Sequence, residues 1–302
     1  MQKIQKALYR IGSFILRNLQ YILWFAFYFS VSYWLFSKNK ILSKTWDIII
    51  LLVLYAVSIA IALLFGERIL KFINGVRPVE TKQEKEYIFP LFQEVYRSAK
   101  EVNPKLPKMK PYIIDTMAIN ACAIGSHTIA ITKGAIDTFS EEELQGIILH
   151  EIAHIRNGDT KADLINKVGN GFVTVFMLFF NLFFQTLDFL FMDLDDEDTK
   201  HFSGLIRTFF FLLRQCINMT LYVLLFIGNI ILSGNIRKNE LRADKFAFKM
   251  GYGEGLKNAL YLIQKLTLSD NMSLTEKMTR LHPRTSKRIA QLERLLDKEQ
   301  RA

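Results

Sequence analysis

Four stretches of the chain are almost continuously apolar: residues 21–36, 48–65, 172–187 and 215–232. The first two carry no charge and are bounded by Arg17 and Lys38, and by Asp47 and Glu67. At 1.5 Å per residue each makes a helix of about 25 Å, enough to span a bilayer. Neither shows the polar face that a globular helix exposes. The pattern therefore predicts two transmembrane helices within residues 20–65. The third stretch contains Asn181 and Gln185, and the fourth contains Asn218 and Asn229, with Arg207 and Arg214 just upstream. Residues 172–232 read either as two further membrane helices or as a hairpin entering one leaflet.

Residues 1–19 interleave Lys3, Lys6, Arg10 and Arg17 with Ile4, Leu8, Ile11, Phe14 and Ile15. That is the pattern of a basic amphipathic helix on an anionic cytoplasmic surface, and not of a cleaved signal peptide. The acidic loop 193–200 suits the outer side, whereas Arg237, Lys238, Arg242 and Lys245 suit the inside. Lys38, Lys40 and Lys44 in the first hairpin run against this orientation. The polar regions, residues 66–171 and 233–302, then emerge on one side and can share a core. They read as mostly helical, with a small β element around 111–132 in which Gly125-Ser126 makes a turn. The fold class expected is a mainly α membrane protein, with four apolar helices and one cytoplasmic domain.

Composition narrows the function. Half of the 302 residues are apolar, 25 of them Phe, so the chain is too apolar for disorder. Two cysteines, Cys122 and Cys216, make no disulfide scaffold. The net charge of +10 would suit nucleic acid, but no groove-entering or base-stacking motif accompanies it. Lysine and arginine placed for membrane topology explain the excess, and no nucleic-acid partner is expected.

The informative stretch is His150-Glu151-Ile152-Ala153-His154. Ser140 followed by Glu143 is a capping-box signature, so a helix should begin at Glu141, and Asn157-Gly158 should stop it. His150 and His154 then lie one turn apart on one face, where two imidazoles can bind one zinc ion per chain, with Glu151 beside it. Aliphatic neighbours make a buried carboxylate and two imidazoles costly without a cation.

A third ligand is required. A histidine six residues past His154 would be one solution, but Thr160 stands there. The remaining solution is a glutamate from a later helix: Glu197, Glu240, Glu254, Glu276, Glu293 or Glu299. Glu240 stands out because Ile236, Glu240, Ala243, Ala247 and Met250 step by four and three, placing a carboxylate in a buried stripe that Gly251 ends. Its other reading is a glutamate satisfied by a nearby Lys or Arg. Asp244, one turn further, should orient a histidine ligand or a backbone group. Asp159 reads as the cap of the next helix.

HEIAHIRNGD, then NELRAD after two apolar stretches, then HPRTSKRI at 282–289, resembles the HtpX membrane zinc metallopeptidases, whose wider family includes the eukaryotic CAAX prenyl endopeptidase. The resemblance runs from the N-terminal apolar pair to about Leu292 and includes INACAIGSHTIAITKGAI at 119–136. It departs at Cys122, where an aromatic is common, and at Arg284, where proline is frequent. The resemblance implies a gluzincin-type peptidase domain with zinc on His150, His154 and Glu240, and Glu151 as general base. It also implies that Asn120 anchors a peptide laid down as an added strand.

On this reading Glu151 takes a proton from the attacking water and passes it to the leaving amine. The oxyanion needs a second donor; His282, ahead of a helix opened by Pro283, is the first candidate and Arg288 the alternative. Expected partners are the bilayer and protein or peptide substrates. The resemblance implies quality control of membrane proteins, in an integral membrane protein of the bacterial inner membrane with its catalytic domain cytoplasmic. A protease with its motif inside a spanning helix fits less well, because Glu141, Glu142, Glu143, Arg156, Asp159 and Lys161 flank this one. The alternative of another class is a catalytically silent membrane scaffold with a structural zinc site.

Overall fold

The apolar run 48–65, with its polar flanks, makes the first full helix, α1 (Lys44–Ile73). In the computed structural model the residues described are 19, 22–30, 33, 44–192, 200–267 and 285–301. Residues 1–18 of the amphipathic segment, residues 21, 31, 32 and 34–36 of the first apolar stretch, residues 193–199 of the acidic loop and His282 therefore lie outside them. After α1 come β1 (Val76–Pro78), α2 (Lys82–Val102), β2 (Lys110–Ile114), β3 (Ala121–Ile124) and β4 (Thr128–Thr132). The remainder is helical: α3 (Lys133–Thr138), α4 (Glu141–Asn157), α5 (Asp159–Met192), α6 (Lys200–Lys249), α7 (Gly253–Thr267) and α8 (Thr285–Gln300).

Among the described residues two helical stretches are long and apolar enough to cross a membrane, Ile48–Ile73 and Gly204–Gly228. The second begins eleven residues before the apolar stretch read at 215–232, because Phe209–Leu213 joins the turns that carry Arg207 and Arg214. The third stretch yields a shorter apolar helix, Met177–Leu187. The boundary expected at residue 232 falls inside one helix: α6, 50 residues long, runs unbroken through it.

The chain divides into two units. One comprises residues 1–52 and 166–231. In it the amides singled out by the sequence satisfy each other, Asn181 Nδ2 donating to Asn218 Oδ1 at 3.2 Å and Asn218 Nδ2 to Asn181 Oδ1 at 2.8 Å. Tyr28 Oη donates to the Leu224 carbonyl at 3.2 Å. Polar groups in apolar helices find partners on neighbouring helices in this way.

The other unit comprises residues 53–165 and 232–302. Its sheet has the order β1-β2-β4-β3, with β2 parallel to β4 and the outer pairs antiparallel. Strands β2, β3 and β4 make the β element expected around 111–132, and β1, with its Pro78, lies outside it. Arg77 ties β1 down, pairing through Nε and Nη2 with Asp115 (2.6 and 2.9 Å) and through Nη2 and Nη1 with Glu84 (2.6 and 3.1 Å). Glu84 is also the third residue of α2 and completes a capping box with Thr81. The main core joins Val95 and Phe92 of α2, Ile129 and Ile131 of β4, Leu144, Ile148 and Ile152 of α4, Ala243 and Ala247 of α6, Leu256 of α7, and Leu292 of α8. Helix α4 lies between β3 and α7. Its approach to α7 is backbone to backbone: a β-carbon on Gly146 would stand 2.5 Å from Leu256 N, and one on Gly255 would stand 2.2 Å from the Glu142 carbonyl oxygen.

Candidate metal centre

Helix α4 starts with the reciprocal Ser140–Glu143 capping box and ends at Gly158 in the left-handed conformation, φ 79°. Those local signals fix the phase that turns His150 inward. His150 is 5% exposed, within an aliphatic core containing Leu149, Ile152 and Ala153. Glu240 and Asp244 come to the same place from α6 and are 3% and 0% exposed. Their buried stripe includes Ala243 and Ala247.

The two imidazoles point at each other, Nε2 to Nε2, across 3.2 Å. Each ring is held from behind. His150 Nδ1 lies 3.0 Å from Asp244 Oδ1, and His154 Nδ1 lies 3.1 Å from Asp159 Oδ2. A carboxylate behind Nδ1 keeps the proton there and leaves Nε2 with its lone pair facing inward. Two lone pairs opposed at this distance repel, and a cation between them removes the repulsion. Glu240 supplies the third donor, Oε2 3.3 Å from His150 Nε2 and Oε1 3.5 Å from His154 Nε2.

These distances can be compared with a metal. Tetrahedral zinc with bonds of about 2.0–2.2 Å separates its donor atoms by about 3.3–3.6 Å. The observed 3.2, 3.3 and 3.5 Å match that within 0.1 Å. Among the described residues His150, His154 and Glu240 form the group able to hold a metal ion. Two imidazoles and one carboxylate are also a donor set that suits zinc and leaves a fourth position open.

The charges point the same way. Burial pushes the His154 pKa down, but its hydrogen bonds with Asp159 and Glu240 and the nearby Glu151 carboxylate outweigh this and raise it to about 10. For His150, burial and the Arg288 charge act downward, and Asp244 and Glu240 carry the net shift upward. An assembly of carboxylates that draws protons onto both imidazoles is one that wants positive charge.

Arg288, from α8, donates through Nε to Asp244 Oδ2 at 2.9 Å and through Nη2 to Asp244 Oδ1 at 2.7 Å. Its Nη1 lies 3.2 Å from Glu240 Oε2. Its Nη2 is almost equally far from His150 Nδ1 and Nε2, 3.3 and 3.2 Å, which places it over the ring and not in its plane. All three guanidinium nitrogens are thus engaged with the ligands and their support.

Glu151 faces β3, where its Oε2 accepts the Ala123 backbone N–H at 2.8 Å. Asn120 stands exposed just before β3, its carbonyl accepting from Thr132 N and Oγ1. A cavity of about 270 Å³ opens between these elements, lined by Asn120, His150, Glu151, Glu240 and Arg288 on its polar side. Phe139, Ile147, Leu256, Leu260 and Ile263 form its apolar wall.

The structure thus gathers His150, Glu151, His154, Glu240, Asp244 and Arg288 around one point, with Asn120 at the rim. Sequence reasoning missed the contact of Asp159 with His154. The residue after a helix-stopping glycine reads as a cap, and only the turn through Gly158 sends its carboxylate back. It also missed Ala123, whose contribution is a backbone N–H and leaves no trace in residue type.

A profile of peptidase family M48 matches residues 83–296. A Protease HtpX homolog of Bacteroides fragilis (strain YCH46) is 37% identical over 122 residues, 39% of this chain and 35% of that protein. The Protease HtpX homolog of Fusobacterium nucleatum is 26% identical over 201 residues, 59% of this chain and 60% of the relative. The Protease HtpX of Tolumonas auensis is 25% identical over 194 residues, 63% of this chain and 62% of the relative. The crystal structure of S. mikatae Ste24p superposes with a TM-score of 0.49 at 22% identity, covering 97% of this chain and 64% of that one. The alignments thus span from 35% to 62% of the length of these three curated relatives. Matched over most of its length, the chain belongs to peptidase family M48.

Proposed function

We propose that this protein is a zinc-dependent endopeptidase that cleaves membrane or membrane-associated proteins at the cytoplasmic face of the inner membrane, in protein quality control. The observation that carries the reading is the pair of opposed imidazoles, each backed by a carboxylate, closed by Glu240 and flanked by Glu151. His150, His154 and Glu240 would hold the zinc, which would supply Lewis acidity toward a peptide carbonyl.

The chain's own residues do the rest. The Ala123 N–H fixes one oxygen of Glu151, and the carboxylate takes a proton from the attacking water and delivers it to the departing amine. An extended peptide adds along β3, with Asn120 at its end, and puts a side chain into the apolar cavity. Arg288 positions Asp244 and Glu240, and His282 or a further N–H of Arg288 supplies the oxyanion contact. The helices Ile48–Ile73 and Gly204–Gly228 supply the membrane anchorage.

The test is bound zinc and casein cleavage by detergent-purified protein, compared with Glu151→Gln. About one zinc per chain is expected in both, with cleavage at least about 100-fold lower in the variant. Equal cleavage, or none in either, favours a scaffold with structural zinc. Accessibility of residue 300 to protease in inverted but not right-side-out vesicles tests the cytoplasmic placement.

A further inference from the structure

The acid that follows the apolar stretch 48–65, Glu67, reads as a simple membrane flank. Its surroundings assign it more. Its Oε1 accepts from Thr128 Oγ1 at 2.8 Å, and its Oε2 accepts from the Ser126 N–H at 3.1 Å, with His127 Nδ1 3.4 Å away. All three partners belong to the turn and first residue that follow β3. Gly125 opens that turn at φ +62°, and a β-carbon there would stand 2.3 Å from Glu67 Oε2. The carboxylate therefore sits inside the turn, in space that only a glycine leaves open.

What this turn controls is the edge of the sheet. Strand β3 has four residues and a single strand neighbour, β4, paired so that Cys122 faces Ala130 and Ile124 faces Thr128. Backbone groups alternate in direction along such a strand. Ala123 turns its N–H outward to Glu151, so Ala121 presents its backbone groups on that same side. So short an edge strand has little pairing energy of its own, and its position depends on what holds its ends.

We infer that Glu67 is a positioning residue: by clamping the β3–β4 turn onto α1, it sets β3 at the place where that strand holds Glu151 and receives an extended peptide. This rests on the peptidase reading for the peptide, but not for the clamp itself.

The test uses the full-length protein in detergent, as Glu67→Ala and as Glu67→Gln, whose carbonyl can still accept one of the two donors. Amide hydrogen exchange over residues 119–128 should run about tenfold faster in Glu67→Ala, the loss expected for a hydrogen bond to a charged group. Exchange over 141–157 and bound zinc should stay at the parent level, and Glu67→Gln should fall between. With a fluorogenic peptide from a casein cleavage site, KM should rise about tenfold while kcat stays within about threefold. Unchanged exchange over 119–128 in both variants overturns the inference, as does a fall in kcat with KM unchanged. If Glu67→Ala fails to fold, Glu67→Gln decides by the same two readouts. If the parent chain cleaves nothing, the peptidase reading fails, and the exchange comparison alone decides the clamp.

Discussion

Asp244 meets His150 edge-on, a carboxylate oxygen 3.0 Å from the ring Nδ1, with no solvent reaching the acid. That contact selects the tautomer whose Nε2 is free for a metal. Replacing Asp244 with Asn keeps the volume but lets the amide turn either an N–H or an oxygen to the ring. Zinc affinity should fall about 10–100-fold, read by competition with a chromophoric chelator. Asp159→Asn acts on His154 in the same way and should give a similar loss.

Arg288 answers two buried acids at once. Without it Asp244 and Glu240 keep their charges but lose their cation. Burial pushes the Asp244 pKa up, and the Arg288 charge and the His150 contact more than reverse this. Arg288→Met should lower stability by about 3–5 kcal/mol, measured by denaturation in mixed micelles. Arg288→Lys keeps one charge but cannot span both carboxylates, and should recover only part of the loss.

Gly146 is one turn before His150 on α4, and its contact with Leu256 sets how closely α4 and α7 approach. Gly146→Ala forces the helices apart and should cost about 1–3 kcal/mol, seen as a lower melting midpoint. Zinc content should drop with it, because His150 is displaced from Glu240. The same change at Gly204, where nothing lies near a β-carbon, should be close to neutral.

The Arg77 network gives a pH dependence of definite sign. Hydrogen bonds from Arg77 hold the Glu84 pKa down at about 2, below its ordinary 4.5. A carboxylate lowered on folding stabilises the fold above the unfolded value and loses that contribution as pH falls toward the folded one. Stability should therefore decline between pH 4.5 and 2. Arg77→Met should be less stable at pH 7 by about 1–2 kcal/mol and show a flatter acid decline, measured by thermal melts from pH 7 to 3.

The catalytic-type helix was legible because everything that defines it is local. Ser140 and Glu143 mark its start, Gly158 its end, and four-residue spacing aligns the histidines. Glu240 was legible for a similar reason, as a charge in an aliphatic stripe. What escaped has two causes. Continuity of α6 across residue 232 was hidden because composition changes there while helix propensity does not. The roles of Glu67, Asp159, Gly146 and Gly255 depend on partners distant in sequence or on backbone direction, and a one-dimensional pattern holds neither. Arg77 belongs with them, since a lone basic residue beside a proline gives no hint of two bidentate pairs.

The order in which the donors are made has a consequence for synthesis. A growing chain that has reached Gly158 already carries both imidazoles, but the closing acid is still 82 residues away, beyond both later apolar stretches. Until Glu240 arrives the pocket is one donor short. The three donors can therefore meet only after both later apolar stretches have been made, and the Arg288 that braces Glu240 and Asp244 follows 48 residues later still.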